Sequence, residues 1–393
     1  MTQKRTILQK LTRLIANNVV PIIFIFISAL AIPLSGFSAT YLVQELLIRI
    51  GRNCFLILSL LIPIMAGMGL NFGMVLGAMA GQIGLIMISD WAIVGIPGIM
   101  LAMIIGTPIA VALGVLCGSV LNRAKGREMV TSYILGFFIN GIYQLAVLYF
   151  MGSLIPITNP ALVLSRGYGI RNAINLTGIS STLDRLIPAK IESYTLELFN
   201  MRFHLENINV PVATYIVIIA FCFFIVWFRR SKLGQDMRAI GQDMAVANSS
   251  GIPVNRTRII AIVISTVLAC YGQIIYLQNI GTLNTYNSHD QAGMFSIAAL
   301  LIGGASVSRA GIGNVFLGVI LFHLMFIVSP NAGKNLVGNA MIGEYFRVFV
   351  SYGIIAIALV LHAWKRHKER IEARRGLRGP AEVVAVKAKE GAR

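Results

Sequence analysis

The sequence predicts an all-α, polytopic integral membrane bundle of about ten segments, some of them broken or half-length. Three observations predict it. Of the 393 residues, 56% are hydrophobic and 12% charged, where an average soluble domain has about 45–50% and about 25%. With a mean hydropathy of +0.78, polar side chains are too few to cover a water-facing surface, which excludes a disordered chain and argues against a soluble enzyme. The apolar residues also fall in runs near the ~20 residues that a bilayer core of about 30 Å requires. Finally, the net charge of +18, from 33 Lys and Arg against 15 Asp and Glu, is concentrated at the chain ends and in short loops between those runs. Membrane loops distribute basic residues in this way, so no nucleic-acid partner is expected.

The segments follow in order. Residues 1–18 form a basic N-terminus whose Lys4, Arg5, Lys10 and Arg13 precede an apolar stretch that begins at Val19 and reads as a retained span. The membrane domain covers 19–363, with candidate spans at 19–38, 54–70, 72–90, 97–121, 131–152, 211–228, 258–279, 294–306, 312–329 and 343–363. The pair 54–70 and 72–90 meets at Leu70-Asn71-Phe72-Gly73 with hardly any loop, and 294–306 is too brief to cross unless tilted or re-entrant. Interrupted segments survive at membrane depth only where protein or a water-filled cavity covers them, and they point to a translocation path. A basic tail, 364–393, follows.

With the N-terminus inside and ten crossings, 24 of the 33 basic residues lie on the inner side, as the positive-inside bias demands. The chain is therefore expected in the cell (inner or plasma) membrane with both termini cytoplasmic. That topology puts the mixed-charge segment 153–210 outside and the loop 229–257 inside. The inner loop has helical character. Met237, Ile240, Met244 and Ala247 recur at helical spacing, Gly251 suits a C-terminal stop, and Pro253 prevents continuation.

Catalytic and metal-binding constellations do not emerge. The sequence holds no phosphate loop, the five histidines are scattered with His323 alone deep in a span, and Cys54, Cys117, Cys222 and Cys270 read as small core residues. Carboxylates near membrane depth are few, Asp90 and Glu344 at span ends, so an ion-coupled carrier lacks an evident ion site. Neutral polar residues are more numerous. Asn71, Gln82, Asn140, Gln144 and Gln273, with Phe72, Tyr143 and Phe295, are candidates to line a path for a neutral, hydroxyl-rich solute; each polar residue can equally serve as cross-helix glue. Gly73, Gly77 and Gly81, and again Gly114 and Gly118, give smooth helix faces for close packing.

Residues 232–254, with Gly234, Arg238, Ala239, Gly241, Ala245, Ala247, Ser250, Gly251, Ile252 and Val254, resemble the coupling-loop signature of ABC importer permeases. The similarity is to permeases of the ribose, galactose, nucleoside and branched-chain amino acid type. Ile297–Ser306, followed by Arg309-Ala-Gly-Ile-Gly and Gly318, is similar to the glycine-rich region of that family, and Leu70–Gly81 to its early broken helix. Ribose-type members carry an acidic residue at that break, where Asn71-Phe72-Gly73 stands here.

The resemblance implies a transport subunit that is not itself an enzyme and binds no cofactor. ATP and Mg²⁺ are used by separate ATPase subunits docking at 234–251, an extracytoplasmic solute-binding protein docks outside, and a second copy or related permease completes a dimer in membrane lipid. Gly234, Met237, Arg238, Ala239, Ile240, Gly241, Asp243, Met244, Ala247 and Gly251 are the coupling candidates. Apolar Met237, Ile240 and Met244 are expected to fill a groove on the ATPase, with Arg238 or Asp243 at its rim; the competing reading is a helix lying on the lipid surface. The solute is expected to be a simple sugar or nucleoside, with a branched-chain amino acid as the runner-up. An ion-coupled secondary carrier is the alternative mechanism.

Overall fold

The computed structural model describes residues 19–198, 201–339 and 341–349, together with 352, 353, 356 and 360. The basic segments 1–18 and 364–393, and much of the span expected at 343–363, lie outside the described residues. Among those described, five helices are long and apolar enough to cross a membrane, and two further apolar helices are shorter.

The chain opens with α1 (Val19–Ser35) and α2 (Ala39–Leu58), followed by a five-residue helix α3 (Leu61–Met65) and α4 (Met74–Asp90). Next come α5 (Gly95–Arg123) and α6 (Glu128–Leu145), the latter running on as a π-helical turn over Ala146–Phe150. The segment expected outside holds a short strand β1 (Ala173–Asn175), a single turn α7 (Thr182–Arg185), and a ribbon of β2 (Pro188–Leu198) and β3 (Met201–Pro211). Helix α8 (Val212–Arg230) then leads into α9 (Lys232–Gln242) and α10 (Met244–Ser249). Helix α11 (Val254–Ile280), β4 (Thr282–Asn284), α12 (Ser288–Ile302) and α13 (Ile312–Val337) complete the order. Strand β1 pairs antiparallel with β4, and β2 with β3.

One expected span is corrected. Instead of an apolar segment at 54–70, helix α2 starts at Ala39 and ends at Leu58. Its polar half is held as helix by the Ser38 side chain, which accepts from Tyr41 N, by the Arg49–Glu45 pair one turn apart at 3.2 Å, and by Arg52 donating to Asn279 Oδ1 at 3.4 Å. Charge here marks the end of the bundle rather than the end of the helix.

The helix interruption lies between Met65 and Met74, and every residue from Ala66 to Gly73 except Gly67 is buried. Gly67 and Gly69 take φ of +74° and +70°, a region that costs little only for glycine. Polar side chains from other helices meet the freed backbone. Phe72 N donates to Ser132 Oγ at 3.2 Å, and at the earlier break between α2 and α3 Ser265 Oγ donates to Ser59 O at 3.0 Å. Irregular backbone at this depth is thus covered by protein, as its solvation requires.

The interior is a three-helix knot of α4, α5 and α11. A Cβ on Gly77 would collide with Thr266 O, and one on Gly81 would stand 2.7 Å from Cys270 O. On α5, Gly114 and Gly118 approach Val263 and Ile259 of the same α11. The two glycine faces therefore serve one partner helix. Helices α12 and α13 fold back on each other in the same manner, Gly303 against Asn314 O and Gly318 against Ala299 O, which explains the glycine-rich region. Helix α1 packs along α13, where Asn331 and Asn335 donate to the last carbonyls of α1, Ser35 O at 2.6 Å and Leu34 O at 2.9 Å. Outward faces are apolar, with Ile104, Phe138, Phe223 and Trp227 all well exposed, the surface a lipid solvent favours.

Candidate solute path and coupling surface

Three neutral polar candidates converge. Gln82 of α4, Asn140 and Gln144 of α6, and the first turn of α12 enclose His289, which is fully buried. His289 Nδ1 lies 2.9 Å from Gln82 Oε1, and Nε2 lies 2.9 Å from Asn140 Oδ1. Tyr143 OH reaches Gln82 Oε1 at 2.9 Å and Thr285 O at 3.2 Å, while Asn140 Nδ2 donates to Asp290 Oδ2 at 2.9 Å. With an oxygen facing each ring nitrogen, the unprotonated nitrogen of a neutral imidazole lacks a donor. Turning the Gln82 amide supplies the missing donor and employs Nε2, which otherwise has no partner among the described residues.

The remaining path candidates stand apart from this cluster to different degrees. Phe72 borders it, stacking edge-on against Tyr133 at 5.0 Å and sharing a cavity of about 90 Å³ with Asp290, Val75 and Met294. Asn71 sits in the helix interruption, where Oδ1 accepts from Gly73 N at 2.9 Å and Nδ2 has no partner among the described residues. Gln273 is buried in α11 with neither amide atom partnered among the described residues. Phe295 belongs to an aromatic group with Phe322 and Phe326, at 5.6 and 5.1 Å. His323, read as deep in a span, packs between Phe322 and Phe326.

Sequence reasoning missed His289 and Asp290 as members of the cluster. The available signal was that Asn140, Tyr143 and Gln144 share one helix face, a face that needs a polar partner. Asp90, noted at a span end, has a structural role: Oδ1 accepts from Thr158 N and Asn159 N, both at 2.8 Å, tying down the segment after α6.

The second candidate surface lies at one end of the bundle, where three basic loops meet. Asn122 Nδ2 donates to Asn255 O at 2.7 Å, Gly69 abuts Val307 and Met129, and Gly241 abuts Met65 and Gly67. Ser231 caps α9 through Gly234 N at 3.2 Å, and Asp243 caps α10 through Ala245 N at 2.7 Å and Val246 N at 3.0 Å. Gly251, at φ +82°, ends the unit as its position predicts.

The apolar stripe of this loop is corrected in its direction. Met237, Ile240 and Ala247 are buried within the chain itself, Met237 in the main core and Ile240 with Ala247, Val254, Ala239, Met244 and Ile252 in a satellite core. Periodicity identified the stripe but could not say what covers it. The outward surface is Gln235, Arg238, Gly241, Gln242, Asp243 and Val246. Glycine at 241 has a packing reason. A Cβ there would collide with Met65 O and stand 3.2 Å from Gly67 N, and one on Gly67 would stand 2.8 Å from Gly241 Cα. The loop is thereby seated backbone to backbone on the helix interruption. Below it, Arg258, fully buried, pairs with Glu128 at 2.6 Å and contacts Met244 Sδ at 2.9 Å.

The chain is similar to several known permeases. The probable ABC transporter permease protein YphD of Escherichia coli is 28% identical over 186 residues, 47% of this chain and 53% of that protein. The galactose/methyl galactoside import permease protein MglC of Salmonella typhimurium is 29% identical over 164 residues, 42% of this chain and 47% of that protein. The high-affinity branched-chain amino acid transport system permease protein LivH of Escherichia coli is 25% identical over 165 residues, 40% of this chain and 49% of that protein. Permeases named for xylose and for nucleosides also match. The chain spans about half the length of the curated relatives it matches. No solved structure matches it. Residues 44–359, most of the chain, match the family described as branched-chain amino acid transport system / permease component, and the chain belongs to that family.

Proposed function

We propose that this chain forms the solute path of an ATP-driven importer, moved by a separate ATPase that grips the loop 231–252. The observation that carries this reading is the seating of Gly241 on Met65 and Gly67. A push on the loop reaches the helix interruption through backbone, with no flexible side chain between. The ATPase contacts the outward surface around Arg238, Gly241, Asp243 and Val246, on the cytoplasmic side. A solute-binding protein delivers cargo at the opposite end, and two permease copies or a related pair enclose the path. ATP and Mg²⁺ act on the partner, and this chain catalyses no reaction.

The cargo is a simple sugar or nucleoside. Gln82, Asn140, Tyr143, Gln144 and His289 offer neutral donors and acceptors beside the single carboxyl group of Asp290, which suits hydroxyl groups, and relatives named for galactose, xylose and nucleosides support the assignment. The match to a branched-chain amino acid permease supports a second reading, in which Asp290 meets the ammonium group. Binding measurements on the solute-binding protein separate them. Saturable sugar or nucleoside binding without leucine binding supports the first, and leucine binding alone supports the second. Uptake by this chain in ATP-free vesicles under an ion gradient would establish a secondary carrier instead.

A further inference from the structure

At the end of the bundle opposite the loop, the segment 151–185 lies as a strap across the junctions between helices. Its backbone is tied to each junction in turn. Asp90, the last residue of α4, accepts from Thr158 N and Asn159 N, and Gly95 N at the start of α5 donates to Gly178 O at 2.9 Å. Ile170 N donates to Val147 O of the π-helical turn at 3.0 Å, and Ser181 N to Gln278 O of α11 at 2.8 Å. Between α11 and α12, β1 of the strap pairs with β4, flanked by Thr285 N donating to Asn172 O at 2.7 Å and Leu176 N to Gly281 O at 2.9 Å. Leu162, Ile170, Ile174, Leu176 and Ile179 are all buried in the main core. The seating is close: a Cβ on Gly169 would collide with Leu148 O, and one on Gly281 would stand 2.6 Å from Ser180 Oγ.

The strap adjoins the polar cluster, and Thr285 joins the two. Its carbonyl accepts from Tyr143 OH at 3.2 Å, while its N and Oγ donate to the strap at Asn172 O and at Arg171 O, the latter at 3.0 Å. Next to it, Tyr286 OH donates to Ile170 O at 2.7 Å. Tyr143 has one hydroxyl hydrogen to share between Thr285 O and Gln82 Oε1. A solute that accepts this hydrogen takes it from Thr285 and removes one of the contacts that hold the strap. Close-packed apolar side chains pass no polar solute, so cargo arriving from this end reaches Gln82 and Tyr143 only when the strap lifts. Its hold is a three-residue strand pair and single hydrogen bonds to helix ends, the kind of element that opens locally while a core stays folded. We infer that the segment 151–185 is the gate at this end of the path, and that Thr285 is the positioning residue coupling the gate to the solute site. The inference rests on the reading of the polar cluster as a solute path.

The test locks the gate with a disulfide. Ala173 and Asn284 face each other across β1 and β4, both exposed, next to the hydrogen-bonded pair of Asn172 and Thr285. They therefore take the closer-spaced position of an antiparallel ladder, within disulfide reach. Met294, half-buried and sharing the cavity of about 90 Å³ with Asp290, serves as reporter. The full-length A173C/N284C/M294C variant is placed in membrane vesicles with the loop end inside, and a membrane-impermeant maleimide is added outside. Labelling at position 294 is read by peptide mass spectrometry, in the oxidised form and after reduction. The expected result is labelling about tenfold or more slower in the oxidised form, restored by reduction, with no effect of oxidation on A173C/M294C or N284C/M294C. T285V/M294C, which loses the bond to Arg171 O, should label about fivefold faster than M294C. Equal rates in the oxidised and reduced forms overturn the gate, and an unchanged rate in T285V/M294C overturns the role of Thr285. The assay needs neither cargo nor ATPase, so failure of the path reading shows differently, as a disulfide-sensitive rate without ATP-driven uptake.

Discussion

Replacing Glu128 by Gln should be among the most destabilising single changes at the loop end. The carboxylate lies 2.6 Å from Arg258 NH2, and the two side chains are 10% and 1% exposed. Two unit charges about 4 Å apart attract by about 4 kcal/mol at the effective dielectric of a partly buried site. Removing one partner strands the other, at a cost of about 3–5 kcal/mol. Arg258 cannot turn elsewhere, because its remaining contact is Met244 Sδ and its Nε has no partner among the described residues. The double variant E128L/R258M removes both charges and keeps apolar volume, so it should recover most of the loss. Thermal melting of the four purified proteins gives the cycle, and hydrogen exchange over Met244–Ile252 reports whether α10 loosens in E128Q. Single variants that melt with the parent, or a double variant whose loss equals the sum of the singles, would refute the assignment of a buried, mutually dependent pair.

Other outcomes follow from the same geometry. Gly77→Leu forces α4 from α11 and should cost at least about 1–3 kcal/mol in melting stability, whereas Gly313→Ala, with nothing near its Cβ, should be close to neutral. Tyr143→Phe deletes the hydroxyl that reaches Gln82 and Thr285, lowering stability by about 1 kcal/mol and weakening solute affinity measured by equilibrium binding to the reconstituted permease. Gly241→Ala should leave membrane insertion intact, checked by fractionation, while lowering ATP-driven uptake in proteoliposomes by about tenfold or more, since the added methyl parts the loop from Met65.

Much of the bundle was legible because lipid imposes a simple rule on sequence. Helices α5, α8, α11 and α13 coincide with apolar runs that nothing interrupts. Helix α2 was hidden, since Glu45, Arg49 and Arg52 look like a loop until their intrahelical and cross-helix partners are known. In the sequence the ribbon at 188–211 is a long charged segment; its pairing with itself is a tertiary fact that composition does not carry. Within the site, Gln82, Asn140 and Gln144 were visible as neutral polar residues in apolar surroundings. His289 and Asp290 are not, because they precede the expected span 294–306, whereas α12 begins at Ser288 and carries both into the cluster. For the loop, helical spacing found Met237 and Ile240 but pointed them at a partner protein, whereas the chain buries them itself.

The most direct test of a permease worked from outside by an ATPase is uptake into proteoliposomes. This chain would be reconstituted with its ATPase and its solute-binding protein, and labelled cargo followed with and without ATP. The account predicts accumulation that requires all three proteins and ATP and disappears when the loop 231–252 is crosslinked to the segment 65–67. Accumulation by this chain alone under a proton or sodium gradient, without nucleotide, would contradict it.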